Sequence, residues 1–194
     1  MSKSAKEQIL QKIRSEYDTN IPLPDTNDFG ITYEEKIKQF QDTLTAVGAC
    51  FLESSREDFE ALIKNQYSDA KKIASLLPRS TLANVNLQEI KTPHELKDLD
   101  LAIFEGRFGV AENGAIWVEN DQNRHRALYF IAEHIVIVLN KNRIVYNMHQ
   151  AYAQIELAKS AFGIFISGPS KTADIEQALV IGAHGPKSLC VVLV

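Results

Sequence analysis

The sequence predicts an α/β fold with an open, mainly parallel sheet that is covered by helices. Segments whose apolar residues follow helical spacing alternate with short apolar runs, which is typical of such sheets. The last run, residues 189–194, is apolar at every position, as expected for a strand buried on both faces. The 194 residues, 45% of them hydrophobic, suffice for one buried core. We therefore expect a helix and linker over residues 1–30 and one α/β domain over residues 31–194.

The first predicted elements are an amphipathic helix and a linker. Residues 4–17 place Ile9, Leu10 and Ile13 on one face, with charged residues elsewhere, which predicts a helix. Residues 18–30 contain two prolines and several turn-forming residues, so the helix is expected to end there. The first helix is therefore expected to pack at the periphery of the domain or against a partner.

Helices and strands alternate through the next part of the chain. Apolar residues spaced for one helical face are followed by a stop signal at Gly48. The pattern predicts a helix over 33–47, a strand over 49–52, a helix over 55–66 and a strand over 72–77. This order favours a parallel sheet whose strands are joined by helices.

The pattern is clearest from residue 99 onward. Apolar runs bounded by turn-forming residues predict strands, and helical spacing predicts two helices. The predicted strands cover residues 99–105, 115–119, 134–139, 144–145, 162–167 and 189–194. The predicted helices cover residues 148–159 and 172–181, and residues 106–114 are expected to form a loop.

Composition excludes several classes of partner and cofactor. The net charge is -4 and the basic residues are scattered among acidic ones, so nucleic acid is not an expected partner. The two cysteines, Cys50 and Cys190, each lie in an apolar run, so no iron-sulfur cluster or cysteine-based zinc site is expected in this chain. No apolar signal region opens the sequence and no apolar run approaches ~20 residues, so we expect a cytoplasmic protein without a membrane span.

A loop of small polar residues after a predicted strand is a candidate anion site. In open α/β sheets, ligands gather at the carboxyl ends of the strands. The hydroxyls of Ser170 and Thr172, the ammonium of Lys171 and free N–H groups at a helix start are suited to a carboxylate or phosphate, with Asp174 close by. Alternatively, Thr172 is only the N-cap and Asp174 balances the helix dipole.

His184 is a candidate catalytic residue. It lies in a Gly-Ala-His-Gly-Pro connection into the last predicted strand, where glycines on both sides give the backbone freedom to project the imidazole into a cleft. Histidine is the side chain whose charge commonly changes near neutral pH. Alternatively, His184 is a loop histidine bonded to a neighbouring carbonyl.

Arg126 is a candidate ligand-binding residue. With Arg124 and His125 it forms a short basic cluster, and two arginines can clamp a carboxylate through paired hydrogen bonds. Alternatively, the cluster is exposed loop charge. His134 begins a predicted buried strand, and we expect it to be a core histidine.

Glu112 is the second candidate catalytic residue. Asn113 and Gly114 follow it, and both tolerate the positive φ of a tight turn into the next strand. Within a partly closed loop, the Glu112 carboxylate would serve as a general base or a nucleophile. Alternatively, the sequence only encodes the turn.

Two segments carry a resemblance to a known family. The run Gly-Pro-Ser-Lys-Thr-Ala-Asp-Ile-Glu at 168–176, followed by Gly-Ala-His-Gly-Pro at 182–186 and a closing apolar strand, resembles the C-terminal signature of the LUD-domain family. Upstream, residues 111–115 resemble the family's Ala-Glu-Thr-Gly-Thr turn, and His134-Ile135 is similar to its His-Ile pair. The resemblance implies a fold similar to the sugar-phosphate isomerase and coenzyme A transferase superfamily.

The resemblance also implies a function. It points to an accessory or substrate-binding part in the oxidation of L-lactate to pyruvate, alongside iron-sulfur partner proteins that supply the clusters this chain cannot hold. The ligand is then a small carboxylate or phosphate. Alternatively, residues 111–114 are similar to the Ser-Glu-Asn-Gly turn of coenzyme A transferases, which implies an independent acyl-transfer or small-molecule enzyme that uses Glu112. Whether the chain catalyses a reaction by itself stays open at this point.

Overall fold

The computed structural model of the chain describes residues 4–16, 22, 29–119, 125–156, 162–172 and 180–194. Within these ranges the helices are α1 (Ala5–Glu16), α2 (Lys36–Ala46), α3 (Phe59–Gln66), α4 (Leu128–Ile131) and α5 (Met148–Ala153), with short 3-10 turns at Pro93–Leu96 and Lys141–Arg143. The strands are β1 (Cys50–Glu53), β2 (Ile73–Ser75), β3 (Leu101–Glu105), β4 (Phe108–Val110), β5 (Ile116–Glu119), β6 (His134–Leu139), β7 (Ile144–Val145), β8 (Gly163–Ile166), β9 (Lys171–Thr172), β10 (Val180–Ile181) and β11 (Ser188–Leu193).

Five strands form a parallel sheet, which confirms the predicted fold class. Their order is β1-β11-β6-β3-β2, and each neighbouring pair is parallel. The closing strand β11 has a partner on each side, and β6 lies at the centre. Helices α2 and α3 follow the expected alternation with β1 and β2. Parallel strands need such covering elements because both faces of the sheet are apolar.

The side chains of the parallel sheet alternate between two apolar clusters. On one face, alternate residues of β3, β6 and β11 join Phe40 and Leu44 of α2. On the other face, the intervening residues join Ile63 of α3. Phe40, Leu44 and Ile63 are all fully buried. The apolar face that the sequence predicted for α2 is therefore the one that covers the sheet.

A second sheet, which the sequence analysis did not predict, lies beside the first. Its order is β7-β4-β5-β8, with β5 antiparallel to both β4 and β8. Strand β4 falls within residues 106–114, so the prediction of an uninterrupted loop there is wrong. Phe108 and Val110 are buried in this sheet and account for the strand.

The chain passes from the first sheet to the second at Gly106. The N–H of Gly106 donates to the Val138 carbonyl in β6, and the next N–H, of Arg107, donates to the Trp117 carbonyl in β5. A Cβ at residue 106 would lie 2.5 Å from Cγ2 of Ile116 and 3.1 Å from Cγ2 of Ile137. Glycine is therefore required at this crossing because no side chain fits between the sheets.

The helix predicted over residues 172–181 is wrong at both described ends. Residues Lys171–Thr172 form β9, which pairs antiparallel with β10. The Ser170 N–H donates to the Pro186 carbonyl, and the Gly182 N–H donates to the Ser170 carbonyl, both at 2.9 Å. These long-range bonds hold the chain extended, and β-branched residues suit that conformation. Residues 173–179 lie outside the described ranges.

Helix α5 is shorter than predicted. It ends at Ala153 instead of residue 159, and Ile155, two residues beyond its end, packs against the apolar cluster of the second sheet. Helix α1 matches its prediction, and every residue in it is exposed. Most of the linker at 18–30 lies outside the described residues, so the domain division at residue 30 stays a prediction. Among the described helices, none combines the length and the apolar character needed to cross a bilayer.

Candidate functional site

A broad cleft of about 740 Å³ opens at the amino edge of the parallel sheet. The three segments that line it lead into β3, β6 and β11, and because these strands are parallel and adjacent, the segments meet at one edge. The cleft therefore lies at the opposite edge from the carboxyl ends, where the sequence analysis placed the site. Its lining includes Lys97, Asp98, Asp100, Phe130, Glu133, His184 and Lys187.

The acidic groups of this cleft already have partners. Oδ2 of Asp100 accepts the backbone N–H groups of Lys71 and Lys72 at 2.7 and 2.8 Å. These hydrogen bonds hold the pKa of Asp100 below its ordinary value because they stabilise the ionised carboxylate. Oε1 of Glu133 lies 2.7 Å from Nζ of Lys187, and this bond lowers the pKa of Glu133 in the same way.

Two groups that suit a carboxylate ligand remain in the cleft. Asp98 lies 3.6 Å from Lys72, so it too has a cationic neighbour. Neither the ammonium of Lys97 nor the imidazole of His184 has a hydrogen bond or ion pair with the part of the chain that the structure describes. Both side chains are exposed. The cleft therefore offers a cation and an imidazole to a ligand from solvent.

The structure brings Ser170 and Lys171 beside the turn that carries His184. The backbone of Ser170 forms hydrogen bonds with Gly182 and Pro186, on either side of that turn. Lys171 is the strand partner of Ile181. A Cβ at residue 185 would lie 2.9 Å from Cβ of Ser170, so the two segments are in close contact. The helix start expected to bind an anion at Thr172 is instead a strand, and Asp174 lies outside the described residues.

The basic cluster around Arg126 is only partly at the cleft. The Arg126 guanidinium lies over the Phe162 ring at 5.0 Å from its centroid, which is a cation–π contact. The next residue, Ala127, lines the cleft. His125 is buried and its Nε2 lies 2.9 Å from the Ile90 carbonyl oxygen. Arg124 lies outside the described residues, so the proposed arginine clamp stays a prediction.

Glu112 lies in another part of the molecule and contacts α5. Its Oε2 accepts the N–H of Met148, the first residue of α5, at 2.9 Å, and its own N–H donates to the Tyr146 carbonyl. Gly114 has a φ of +67°, as the turn prediction required, and Oδ1 of Asn113 accepts the Ala115 N–H at 3.0 Å. These contacts give Glu112 a structural role in holding the start of α5, while its catalytic role stays a prediction.

His134 and the two cysteines lie in the parallel sheet and have structural contacts. Nδ1 of His134 lies 2.8 Å from Oγ of Ser188 on the neighbouring strand, so the imidazole is hydrogen-bonded as expected, but it is partly exposed at the sheet edge and not buried in the core. Cys50 and Cys190 lie opposite each other in the register of the adjacent strands β1 and β11, and they do not form a disulfide. Burial raises the pKa of the Cys190 thiol far above its ordinary value. The described ranges contain no group of three or more His, Cys, Asp or Glu arranged to hold a metal ion.

Sequence reasoning missed Lys97 and Lys187 as cleft residues. Both lie in segments that lead into strands of the parallel sheet, so a signal was present. Using it requires knowing which strands are neighbours, and the order β11-β6-β3 follows from tertiary pairing. The lysines could therefore be grouped with His184 only once the topology was known.

The sequence matches one protein family and several curated proteins. A family model of the LUD domain matches residues 3–194. Lactate utilization protein C of Bacillus pumilus is 40% identical over 86 residues, covering 41% of this chain and 35% of that protein. Lactate utilization protein C of Shouchella clausii is 27% identical over 128 residues, covering 63% of this chain and 56% of that protein. The matches thus span about a third to a little over half of these curated relatives.

A solved structure shows the same fold. A DUF162 family protein from Deinococcus radiodurans matches with a TM-score of 0.65 and 17% sequence identity, covering 84% of this chain and 99% of that chain. At this identity the likeness concerns the fold. Because the LUD-domain model covers nearly the whole sequence, the chain belongs to the LUD-domain family.

Proposed function

We propose that this chain is an accessory, substrate-binding component of lactate utilisation that acts with iron-sulfur partner proteins in the oxidation of L-lactate to pyruvate. The observation that carries this proposal is the LUD-domain match over residues 3–194, together with relatives named for lactate utilisation.

The cysteines support a division of labour with partner proteins. An iron-sulfur cluster is usually held by four thiolates, and the sequence has two cysteines. One of them, Cys190, is fully buried in the parallel sheet with a raised thiol pKa, so it is poorly suited to ligation. Electrons from lactate would therefore pass to clusters that partner proteins hold.

The cleft at the amino edge is the proposed place for the carboxylate substrate. The Lys97 ammonium would pair with the substrate carboxylate, and the His184 imidazole would hydrogen-bond the neighbouring hydroxyl or keto oxygen. Lys72 and Lys187 offset the charges of Asp98 and Glu133, and backbone N–H groups hold Asp100 in a fixed position. The turn that bears His184 is supported from behind by Ser170.

Genetic complementation tests the proposal. Deleting the gene should abolish growth on L-lactate, and the wild-type gene should restore it. The double variant Lys97→Gln, His184→Asn should restore growth poorly, whereas Lys64→Gln, on the exposed face of α3, should restore it fully. Normal growth of the deletion strain, with normal lactate oxidation in its extracts, would overturn the proposed role.

Isolation of the chain from lactate-grown cells tests the partner proposal. A tagged copy should bring down proteins that contain iron and acid-labile sulfide. The matched control is the same tagged copy from cells grown without lactate. If the chain is recovered free of iron-sulfur proteins under both conditions, including after cross-linking, the proposed partnership is wrong.

A further inference from the structure

Three arginines line a second cleft, at the carboxyl edge of the parallel sheet. This cleft has a volume of about 310 Å³. Arg56 follows β1, Arg107 lies between β3 and β4, and Arg143 ends the 3-10 turn after β6. The carboxyl edge is where open α/β sheets commonly hold ligands. The lactate proposal does not use this cleft.

The fold positions two of these arginines through backbone contacts. Arg107 comes directly after Gly106, where the chain crosses between the sheets, and its N–H is fixed on the Trp117 carbonyl at 2.8 Å. The turn bearing Arg143 is capped by Asn140, whose Oδ1 accepts the Asn142 N–H at 2.9 Å, and the Arg143 N–H donates to the Asn140 carbonyl. The guanidinium groups are therefore carried by ordered segments.

The charged residues of the cleft favour binding of an anion. Glu119 is 14% exposed and is held by Nε1 of Trp117 at 2.8 Å and Nε of Arg107 at 3.0 Å. The Arg56–Glu105 pair is loose, at 3.6 Å with both side chains more than half exposed, so a ligand can displace it readily. Arg143 has no ion pair within the described ranges. Three arginines against two glutamates give the cleft a net positive charge.

We propose that this cleft binds the phosphoryl group of a small phosphorylated ligand. Guanidinium groups match phosphate oxygens through paired, charge-assisted hydrogen bonds. The three arginines come from three separate segments that border the same cleft. A tetrahedral phosphate accepts donors from several directions, whereas a planar carboxylate presents its two oxygens largely in one plane. The site lies at the opposite edge of the sheet from His184, so both clefts can be occupied together.

Calorimetric titration of the full chain with inorganic phosphate tests the site. Arg143→Gln should weaken binding about 10–100-fold, the loss of one charge-assisted pair, and Arg143→Lys should fall between it and the wild type. Arg14→Gln, which removes the same charge from the exposed helix α1, is the matched control and should leave binding unchanged. His184→Asn should also leave it unchanged, because that residue serves the other cleft.

The outcomes separate this proposal from its alternatives. Equal losses in Arg143→Gln and Arg14→Gln would show a general charge effect and overturn the site. Tighter binding of succinate than of phosphate would overturn the phosphoryl assignment. An absence of saturable binding, for both inorganic phosphate and glycerol phosphate, would overturn the proposal altogether. Thermal unfolding of each variant shows whether the fold is kept, and Arg56→Gln provides a second test on an exposed residue.

Discussion

Backbone N–H groups hold two carboxylates, one in the amino-edge cleft and one at the start of α5. Asp100 accepts the N–H groups of Lys71 and Lys72, and Glu112 accepts the N–H of Met148. For Asp100 these bonds stabilise the ionised carboxylate and lower its pKa, and at both positions they order the backbone that donates. In the amino-edge cleft, Lys97 and His184 therefore remain for a ligand beside an acidic group with a fixed position.

Asp100 should contribute pH-dependent stability. Asp100→Asn should lower the free energy of unfolding at pH 7 by about 1 kcal/mol, because the amide oxygen that would take the place of Oδ2 as acceptor of both N–H groups carries no negative charge. The pKa of Asp100 is lowered in the folded state, so this contribution is complete above the unfolded value of ~3.9 and is lost as the pH falls through the folded value. Urea unfolding at several pH values between neutral and about pH 3 measures it.

The control for this test is Asp98→Asn. Asp98 forms an exposed pair with Lys72 at 3.6 Å, and such pairs contribute little. A penalty for Asp100→Asn that stays the same at low pH would contradict the assignment of the effect to the ionised carboxylate. An equal penalty for Asp98→Asn would do the same.

Glu112 should stabilise the protein mainly as the hydrogen-bond acceptor of the Met148 N–H. Glu112→Ala should destabilise the protein by about 1 kcal/mol because it leaves the Met148 N–H at the start of α5 without its acceptor, whereas Glu112→Gln keeps an acceptor oxygen and should cost less. Thermal unfolding of the two variants measures the difference. Mass spectrometry after incubation with acyl-coenzyme A should find Glu112 unmodified; an adduct there would instead favour the acyl-transfer alternative.

Among the larger elements, the crossing between the two sheets determines where the second cleft lies. Strand β3 ends at Glu105, and after Gly106 the chain enters β4 of the other sheet. The crossing places Arg107 at the carboxyl edge and packs Ile116 against Gly106. The close packing at Gly106 therefore helps to set the position of Arg107 at the carboxyl edge, where the second cleft lies.

A double-mutant cycle tests this packing. Gly106→Ala should destabilise the protein by about 1–3 kcal/mol, since the added methyl overlaps Cγ2 of Ile116. In the background of Ile116→Ala, which removes that methyl group, the same substitution should cost clearly less. Chemical denaturation of the four proteins measures the coupling. Strict additivity would mean that Gly106 is required for some reason other than contact with Ile116.

The strands of the parallel sheet could be predicted from sequence, whereas β4, β9 and β10 could not. Residues 135–139 and 189–194 are unbroken apolar runs, and burial on both faces requires such runs in central parallel strands. Strands β9 and β10 are flanked by two hydrogen bonds that no local pattern reveals: the Ser170 N–H donates to the Pro186 carbonyl, and the Gly182 N–H donates to the Ser170 carbonyl. Helical spacing within 172–181 therefore predicted the wrong element at its ends.

Prediction of the candidate sites was limited in the same way. His184 and the segment at 170–171 were identified from local composition, and the structure places them side by side. Their edge of the sheet was placed wrongly, because the strand before Ser170 belongs to the second sheet and not to the parallel one. Arg107 and Arg143 each follow a predicted strand closely, but only the pairing of β3 with β6 shows that they share a cleft.

In the described part of the molecule, the two clefts discussed above lie at opposite edges of one parallel sheet. The amino edge carries Lys97 and His184, and the carboxyl edge carries three arginines. Helix α1, exposed along its whole length, contributes to neither. A ligand of each kind should therefore perturb a different set of backbone amides.

Titration of the isotopically labelled chain with L-lactate, followed by amide NMR spectra, tests the central proposal most directly. We expect lactate to shift the amides of Lys97 and of residues 182–185, with the shifts lost in the Lys97→Gln, His184→Asn double variant, while the amides of residues 106–108 stay unchanged. Lactate-dependent shifts confined to residues 106–108 and 140–143, or no saturable shifts at the amino edge, would contradict the assignment of that cleft to the substrate.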